Sequence, residues 1–162
     1  MMHIAPMNSS HWPAVEQIYL SGIATGMATF ETQSPGWERW DENHMDTNRW
    51  VALVEDQVAG WIALSPTSDR CVYGGVAEVS VYVNPDFKRR GVGKALLKKV
   101  IESSETEGIW TLHAAMFPQN EGSIGLHQAM GFRKIGIREK IAKLNGEWHD
   151  NLLMERRSPN IW

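Results

Sequence analysis

The stretch Val-Ala-Glu-Val-Ser-Val-Tyr-Val at 76–83, with Lys-Arg-Arg-Gly-Val-Gly-Lys at 88–94, decides the fold of this 162-residue chain. Residues 76–83 fit a β-strand, in which side chains alternate between the two faces. One face carries Ala77, Val79, Val81 and Val83, and the other carries Val76, Glu78, Ser80 and Tyr82. Apolar residues at helical spacing follow at 96, 97, 100 and 101. The segment therefore predicts a strand, a glycine-rich loop and an amphipathic helix.

Other elements follow from their own patterns on both sides of this segment. Ser9-Ser10 and Pro13 indicate a first helix, and Ser34-Pro35 begins a short second helix with Trp37 and Trp40 on one face. The remaining predictions are strands at 50–55 and 58–64 joined by Asp56-Gln57, a strand at 110–116, a short helix ending at Met130-Gly131, an extended segment at 132–137 and a hairpin around Asn145-Gly146. No repeat or linker divides the chain, so we expect one α/β domain over 1–162 around a sheet of about seven strands.

The composition excludes several classes of protein. The chain has 16 Lys and Arg against 19 Asp and Glu, a formal charge of −3, which disfavours general nucleic-acid binding. No apolar run approaches the ~20 residues that span a bilayer, and the N-terminus shows no signal peptide. Cys71 is the single cysteine, which fits a reducing compartment. We therefore expect a cytoplasmic protein that binds neither nucleic acid nor membrane.

Metal catalysis is not expected either. The six histidines form no H-x-x-x-H pair and have no cysteine partner at ligand spacing. Eight tryptophans are many for this length. Aromatic side chains bury a large area, so most of them are explained by packing, although a substrate pocket or a dimer surface would also use them.

The glycine-rich loop suggests an anion site. It is not a Walker A loop, because Ala95 follows Gly93-Lys94, and it lacks the third glycine of a dinucleotide fingerprint. The remaining R-R-G-x-G pattern stands where a strand meets a helix, and free N–H groups at a helix N-terminus bind pyrophosphate. Arg89, Arg90 and Lys94 would add positive charge. A plain basic loop is the alternative.

Two segments resemble the GNAT N-acetyltransferase superfamily. Residues 79–97 are similar to its acetyl-CoA-binding core, and residues 120–132 match its pattern N-x-x-[AS]-x-x-L-[YH]-x-x-x-G-F. The resemblance implies acetyl-CoA as cosubstrate and a mixed, mostly antiparallel central sheet of about seven strands flanked by about four helices. It also implies cofactor contacts from Val81, Val83, Arg89, Arg90, Gly91, Val92, Gly93, Lys94, Asn120 and Ser123.

Shorter matches narrow the resemblance to one branch. Residues 28–32, 77–83, 126–127 and 146–150 resemble phosphinothricin and methionine-sulfoximine acetyltransferases. This branch implies a small-molecule amine acceptor of amino-acid type and a homodimer. The resemblance places Phe30, Glu31, Arg70 and Tyr73 around the acceptor.

Glu78 is the strongest candidate for a catalytic base. An ammonium must lose a proton before it attacks a thioester, and an apolar strand disfavours the charged form of a carboxyl group. The branch resemblance gives the matching Glu this role. His127 stands where the superfamily usually has a Tyr near the CoA sulfur, so it is a candidate for protonating the leaving thiolate. The alternatives are a Glu in a structural ion pair and a His hydrogen-bonded within the fold.

The chain departs from its branch just before Glu78. Relatives carry R-x-A-Y-R-x-T-x-E, whereas residues 70–78 have Gly74 in place of the second Arg and Val76 in place of the Thr. Because Arg binds a carboxylate bidentately, Arg70 becomes the main candidate for an amino-acid carboxylate. Otherwise the acceptor has no α-carboxylate. Wider alternatives are another amine, a peptide N-terminus, or a non-catalytic acetyl-CoA sensor.

Overall fold

Seven strands form one sheet in the computed structural model of the protein, which describes residues 1–162. The strands are β1 (Met2–Pro6), β2 (Trp50–Val54), β3 (Gln57–Pro66), β4 (Val76–Val83), β5 (Thr111–Met116), β6 (Arg133–Leu144) and β7 (Glu147–Arg157). The helices are α1 (Trp12–Ala24), α2 (Trp37–Asn43), α3 (Val92–Thr106) and α4 (Glu121–Ala129). The order in the sheet is β1-β2-β3-β4-β5-β7-β6. The predicted mixed α/β fold is confirmed.

Only β4 and β5 run parallel, and they pair over just three positions. Their pairing starts at Val76 opposite Thr111 and ends at Glu78 opposite His113. Beyond this point β4 continues along β3 to Val83, whereas β5 follows β7 to Met116. The sheet is therefore open between β4 and β5 from residue 79 onward.

Two apolar clusters lie on the two faces of the sheet. The larger one packs the stripe of α3, including Leu96, Leu97 and Val100, against the β4 face that carries Ala77 and Val79. The smaller one is aromatic and holds α1 and α2 on the other face. Its fully packed members include Trp12, Trp40 and Trp61. These three tryptophans pack within this cluster, and Trp40 and Trp61 also line a cavity described below.

Two local boundaries differ from the sequence prediction. The β2–β3 turn lies at Glu55-Asp56 rather than Asp56-Gln57, and both turn residues have positive φ (50° and 65°). Two-residue turns of this kind match the twist of a hairpin. The extended segment predicted at 132–137 and the first strand of the hairpin predicted around Asn145-Gly146 form one strand, β6. Its register with β7 shifts between Lys134 and Gly136 and between Arg138 and Ala142. Such irregularities bend a strand and interrupt its alternating pattern.

No helix of the protein is long and apolar enough to cross a membrane.

Candidate active site

Two cavities meet beside Glu78. The first, the β4–β5 cleft, has a volume of about 870 Å³ and lies where the two strands part. The second, the aromatic cavity, has a volume of about 450 Å³ and lies between β3, β4 and α2. The two cavities share four lining residues: Thr29, Glu78, Ser80 and Tyr82. A group bound in one cavity therefore meets a group bound in the other at these side chains.

The open edge of β4 forms one wall of the cleft. At the start of β5, the N–H groups of Trp110 and Thr111 donate to the carbonyl of Gly75, which therefore points toward β5. The N–H of Asn84 donates to the carbonyl of Ala59 and therefore points toward β3. Backbone groups of successive strand residues point in alternate directions, so the odd-numbered positions turn toward β5. The β3–β4 register is regular throughout, which carries this alternation to Val81 and Val83. Their N–H and C=O groups face the cleft, where an extended ligand can pair with them.

The glycine-rich loop and the N-terminus of α3 close one end of the cleft. Gly91 caps the helix with φ 77°, and no side chain bonds the first free N–H groups. The first helical bond runs from the N–H of Ala95 to Gly91, so the N–H groups of Val92, Gly93 and Lys94 are free of it. The positively charged side chains lining the cleft are Lys88, Arg89 and Lys94. Free N–H groups and basic side chains thus lie together at this end of the cleft, an arrangement that suits an anion.

Arg90 is not brought into this end of the cleft. Its guanidinium stacks over the ring of Phe87, 5.2 Å from the centroid, and Arg90 is not among the residues that line the cleft. Gly93 does line the cleft, but its lack of a side chain has a second reason. A Cβ at this position would lie 2.9 Å from Cδ2 of Leu126, so Gly93 also permits α3 to pack against α4.

The N-terminus of α4 supplies the other predicted cleft residues. Asn120 caps the helix by accepting from the N–H of Ser123, and its amide donates to the carbonyl of Met27. His127 is 3% exposed, its ring packs edge-on against Phe132, and Nδ1 donates to the carbonyl of Ser123 at 2.7 Å. All three α4 residues line the cleft. Asn120 therefore also has a structural role, since it joins α4 to the segment after α1.

The protonation of His127 follows from this hydrogen bond. Because Nδ1 carries the donated proton, Nε2 of the neutral ring is an acceptor. Burial lowers the pKa of His127, and the hydrogen bond to Ser123 opposes this only in part. The ring is thus neutral near pH 7 and does not hold a proton on Nε2 at rest.

The aromatic cavity combines ring faces with charged groups. Its walls include Tyr19, Trp40, Trp61 and Tyr82, with Trp61 and Tyr82 stacked at 5.0 Å. Burial raises the pKa of Tyr82, so its hydroxyl is neutral. The Nε1–H group of Trp61 is buried and has no protein partner. Aromatic walls combined with a few polar groups are features of a site for a small polar molecule.

Two acidic side chains and one basic side chain also line the aromatic cavity. They are Glu31, Glu78 and Arg39, and none of them forms an ion pair within the protein. His44 lines it as well and donates Nδ1–H to the carbonyl of Trp40 at 2.6 Å. Burial lowers the pKa of His44, and the neighbouring Arg49 adds to this effect. The sequence prediction included Glu31 and Glu78 but missed Arg39 and His44.

The other predicted acceptor residues lie elsewhere. Phe30 lines the cleft rather than the aromatic cavity, and its ring packs 4.7 Å from that of Phe117. Arg70 and Tyr73 line neither cavity, because the exposed turn that precedes β4 carries them outward. The guanidinium of Arg70 stacks over Tyr73 at 5.6 Å. The structure therefore does not bring Arg70 or Tyr73 to Glu78 within one chain.

Comparisons with known proteins agree with this geometry. A profile of the acetyltransferase (GNAT) family matches residues 12–132, which is more than half of the chain. The chain belongs to the GNAT acetyltransferase family. It is 30% identical to the phosphinothricin N-acetyltransferase of Streptomyces viridochromogenes over 153 residues, covering 92% of this chain and 84% of that protein. The family resemblance of residues 79–97 and 120–132 is confirmed, and the protein is an acetyltransferase.

One further relative and one solved structure add to this comparison. The L-methionine sulfoximine/L-methionine sulfone acetyltransferase of Pseudomonas aeruginosa strain PAO1 is 35% identical over 83 residues, which cover 51% of this chain and 48% of that protein. The structure of a GNAT superfamily phosphinothricin acetyltransferase from Sinorhizobium meliloti in complex with AcCoA superposes with a TM-score of 0.86 at 24% identity, covering 99% and 95% of the two chains. The fold is thus the one that this acetyl-CoA-bound relative adopts.

Proposed function

We propose that this acetyltransferase moves an acetyl group from acetyl-CoA to the amine of a small amino-acid-like acceptor, of phosphinothricin or methionine sulfoximine type. Glu78 is the general base. The observation that supports this most is the position of Glu78 at the junction of the two cavities. A carboxyl group there reaches an amine held in the aromatic cavity and a thioester held in the cleft.

The cleft fits acetyl-CoA in size and in chemistry. The free N–H groups at the start of α3, with Lys88, Arg89 and Lys94, suit the pyrophosphate. The open edge of β4 at Val81 and Val83 suits the amide-bearing pantetheine arm, which pairs with a strand edge. Asn120 and Ser123 line the same cleft at the start of α4. Acetyl-CoA, when bound, supplies the activated acetyl group.

The protein's own residues then handle charge and protons. Glu78 takes a proton from the acceptor ammonium, and the freed lone pair attacks the thioester carbon. The N–C bond forms, the C–S bond breaks and CoA leaves as a thiolate, while the nitrogen releases its second proton, which then serves to protonate the thiolate. A backbone N–H at Val81 or Val83 stabilises the negative charge that develops on the acetyl oxygen.

His127 acts on the side of the leaving group in this proposal. It lines the cleft, and its Nε2 has no protein partner. Since Nε2 is unprotonated at rest, His127 must gain a proton during the turnover before it can protonate the thiolate. The ring therefore acts as a relay, which accepts a proton at Nε2 and passes it to sulfur.

The proposal extends to the assembly and the location of the enzyme. The β6–β7 hairpin exposes Ile137, Ile141 and Trp148, a set of apolar side chains that a second copy of the chain can cover. We therefore expect a homodimer. The free and exposed Cys71 is compatible with the cytoplasmic location that the sequence predicts.

A thiol-release assay tests the acceptor class directly. Purified enzyme and acetyl-CoA are mixed with phosphinothricin, methionine sulfoximine, a polyamine and a peptide with a free N-terminus, and free CoA is followed over time. We expect turnover with the two amino-acid analogues above that with the other amines. Faster release with the polyamine or the peptide would contradict the proposed acceptor. Acetyl-CoA binding without release on any amine would point to a sensor.

A further inference from the structure

An amino-acid acceptor needs a partner for its α-carboxylate, and the sequence-predicted partner is misplaced. Arg70 stacks over Tyr73 and lines neither cavity. The position at which relatives of the branch carry a second Arg holds Gly74, which has no charge to offer. Within the chain, the carboxylate must therefore be held from another element.

Arg39 on α2 is the cationic side chain that the structure does bring to the site. It is the only Arg or Lys among the residues lining the aromatic cavity. No carboxylate lies within ion-pair distance of it, and its guanidinium makes no hydrogen bond to the protein. A guanidinium left unpaired at a cavity wall keeps all its donors for a ligand, and its planar fork matches a carboxylate.

The short helix that carries Arg39 is firmly anchored. The next residue, Trp40, is 2% exposed and packs between Trp12 and Trp61. At the end of α2, the buried guanidinium of Arg49 donates to the carbonyls of Asp41, His44 and Met45 and pairs with the Asp41 carboxylate. These contacts fix the helix backbone, so the Cα of Arg39 is held at the rim of the cavity.

The charges around the cavity form a pattern that an α-amino acid complements. Glu78 provides a negative charge where the amine must react, and Arg39 provides a positive charge from α2. His44 is neutral because burial lowers its pKa, so it does not compete for the carboxylate. Glu31 adds a second negative charge, which repels a carboxylate from its own side of the cavity.

We propose that Arg39 binds the α-carboxylate of the acceptor while Glu78 receives the proton of its α-ammonium, so that Arg39 selects amino acids over simple amines. This inference rests on the proposed function and names the residue that gives it its substrate class.

The test compares one acceptor with and without its carboxylate. Steady-state kinetics are measured with methionine sulfoximine and with its decarboxylated amine, using the full-length wild-type enzyme and the variants Arg39→Gln, Arg39→Lys and Arg70→Gln. A hydrogen-bonded charge pair contributes about 1.5–3 kcal/mol, which corresponds to roughly 10- to 150-fold in affinity. We expect Arg39→Gln to raise KM for methionine sulfoximine by about this factor and to change KM for the amine less than about twofold.

Two variants serve as controls. Arg39→Lys keeps the charge but loses the bidentate geometry, so it should restore part of the affinity. Arg70→Gln removes an exposed guanidinium that lines neither cavity and should leave both KM values unchanged. Calorimetry with acetyl-CoA verifies that each variant still binds its cosubstrate with wild-type affinity.

The outcomes separate this inference from the proposed function. If the wild-type enzyme prefers methionine sulfoximine but Arg39→Gln affects both acceptors equally or neither, Arg39 is not the carboxylate partner and the proposed function stands. If Arg70→Gln instead raises KM for methionine sulfoximine alone, the carboxylate is held by Arg70. If the wild-type enzyme acetylates the decarboxylated amine as well or better, both the inference and the amino-acid acceptor are overturned.

Discussion

Glu78 on β4 lies directly opposite His113 on β5, and this is the last pair before the two strands part. The side chain of Glu78 therefore stands at the apex of the β4–β5 cleft, at the point where the edge of β4 becomes free. The same strand thus carries the proposed base and, a few residues later, the backbone groups that face the cleft. Any displacement of β4 would move both together.

Replacing Glu78 by Gln tests its role as base. The change keeps the size of the side chain and removes the group that takes the proton. Loss of a general base typically lowers the rate by about 10²- to 10⁴-fold. We expect this loss in kcat, with acetyl-CoA affinity unchanged in calorimetry because the carboxyl group serves the amine of the acceptor rather than the pyrophosphate.

Glu31→Gln is the matched control for this prediction. Glu31 lines the aromatic cavity but not the cleft, so its removal should alter the KM for the acceptor more than kcat. Turnover of Glu78→Gln within about threefold of wild type, well short of the usual loss, would show that another group deprotonates the amine.

Lys94 and Lys98 provide a paired test of the pyrophosphate site. Both lie on the exposed surface of α3, one turn apart, but only Lys94 lines the cleft at the N-terminus of the helix. Lys94→Gln should weaken acetyl-CoA binding by roughly 10-fold or more, since hydrogen bonds to a charged group contribute about 1.5–3 kcal/mol. Lys98→Gln should leave the affinity unchanged in the same calorimetric titration.

This pair is a cleaner probe than Gly93→Val. A Cβ at Gly93 would meet Leu126 at 2.9 Å, so that variant would disturb the packing of α3 on α4 as well as the ligand. Equal affinity of Lys94→Gln and Lys98→Gln for acetyl-CoA would contradict the placement of the pyrophosphate at this end of the cleft.

The sequence predicted the part of the site that is built from one continuous segment. Strand β4, the loop and α3 follow one another, so the side-chain period and the glycines of residues 76–101 place Glu78, Lys94 and the free helix N-terminus without tertiary information. The aromatic cavity could not be predicted in this way. Its walls come from α1, the segment 29–35, α2, β3 and β4, which only the folded chain brings together.

Arg39 left a weak signal in the sequence. In the short helix α2, Trp40 faces the core. Residues 39 and 43 are spaced i and i+4, so they lie on one face of the helix beside Trp40, and both line the cavity. Arg70 was favoured instead because it belongs to a branch motif. Nothing in the pattern indicated that the turn before β4 would hold Arg70 against Tyr73 in solvent.

The buried His127 and the half-buried His44 should make the stability of the fold depend on pH. Burial lowers the pKa of both His44 and His127 below the ordinary value of 6.5. As the pH falls through this value, the unfolded chain takes up protons that the folded chain does not, so the free energy of unfolding falls. Each histidine contributes at most about 1.4 kcal/mol per pH unit.

Urea denaturation between pH 7.5 and pH 5.5 measures this effect. His127→Asn and His44→Asn should each reduce the loss of stability over this interval, whatever their stability at pH 7.5. A loss of stability that is the same in wild type and in both variants would show that other groups control the acid sensitivity.

The β6–β7 hairpin should carry the interface of a homodimer. Strand β6 is an edge strand, and nearly all of its residues are exposed. Ile137 and Trp148 are 55% and 57% exposed, and large apolar side chains grouped on a surface mark a site that a partner covers. Light scattering after size exclusion should therefore give twice the chain mass for the wild-type protein.

Charges placed on this hairpin should separate the two copies. Trp148→Glu combined with Ile137→Lys introduces charged groups that a buried interface excludes, so the variant should elute as a monomer. Trp162→Glu is the control, because Trp162 is almost fully exposed and packs against Arg157, at the end of β7 opposite the hairpin turn. A monomeric wild-type protein, or a double variant that still dimerises, would contradict this assignment.

The hairpin also contacts the cleft. Asn151 on β7 lines the cleft, and the ring of His149 lies 5.3 Å from that of Phe117, which lines it too. Separating the two copies should therefore also raise KM for acetyl-CoA.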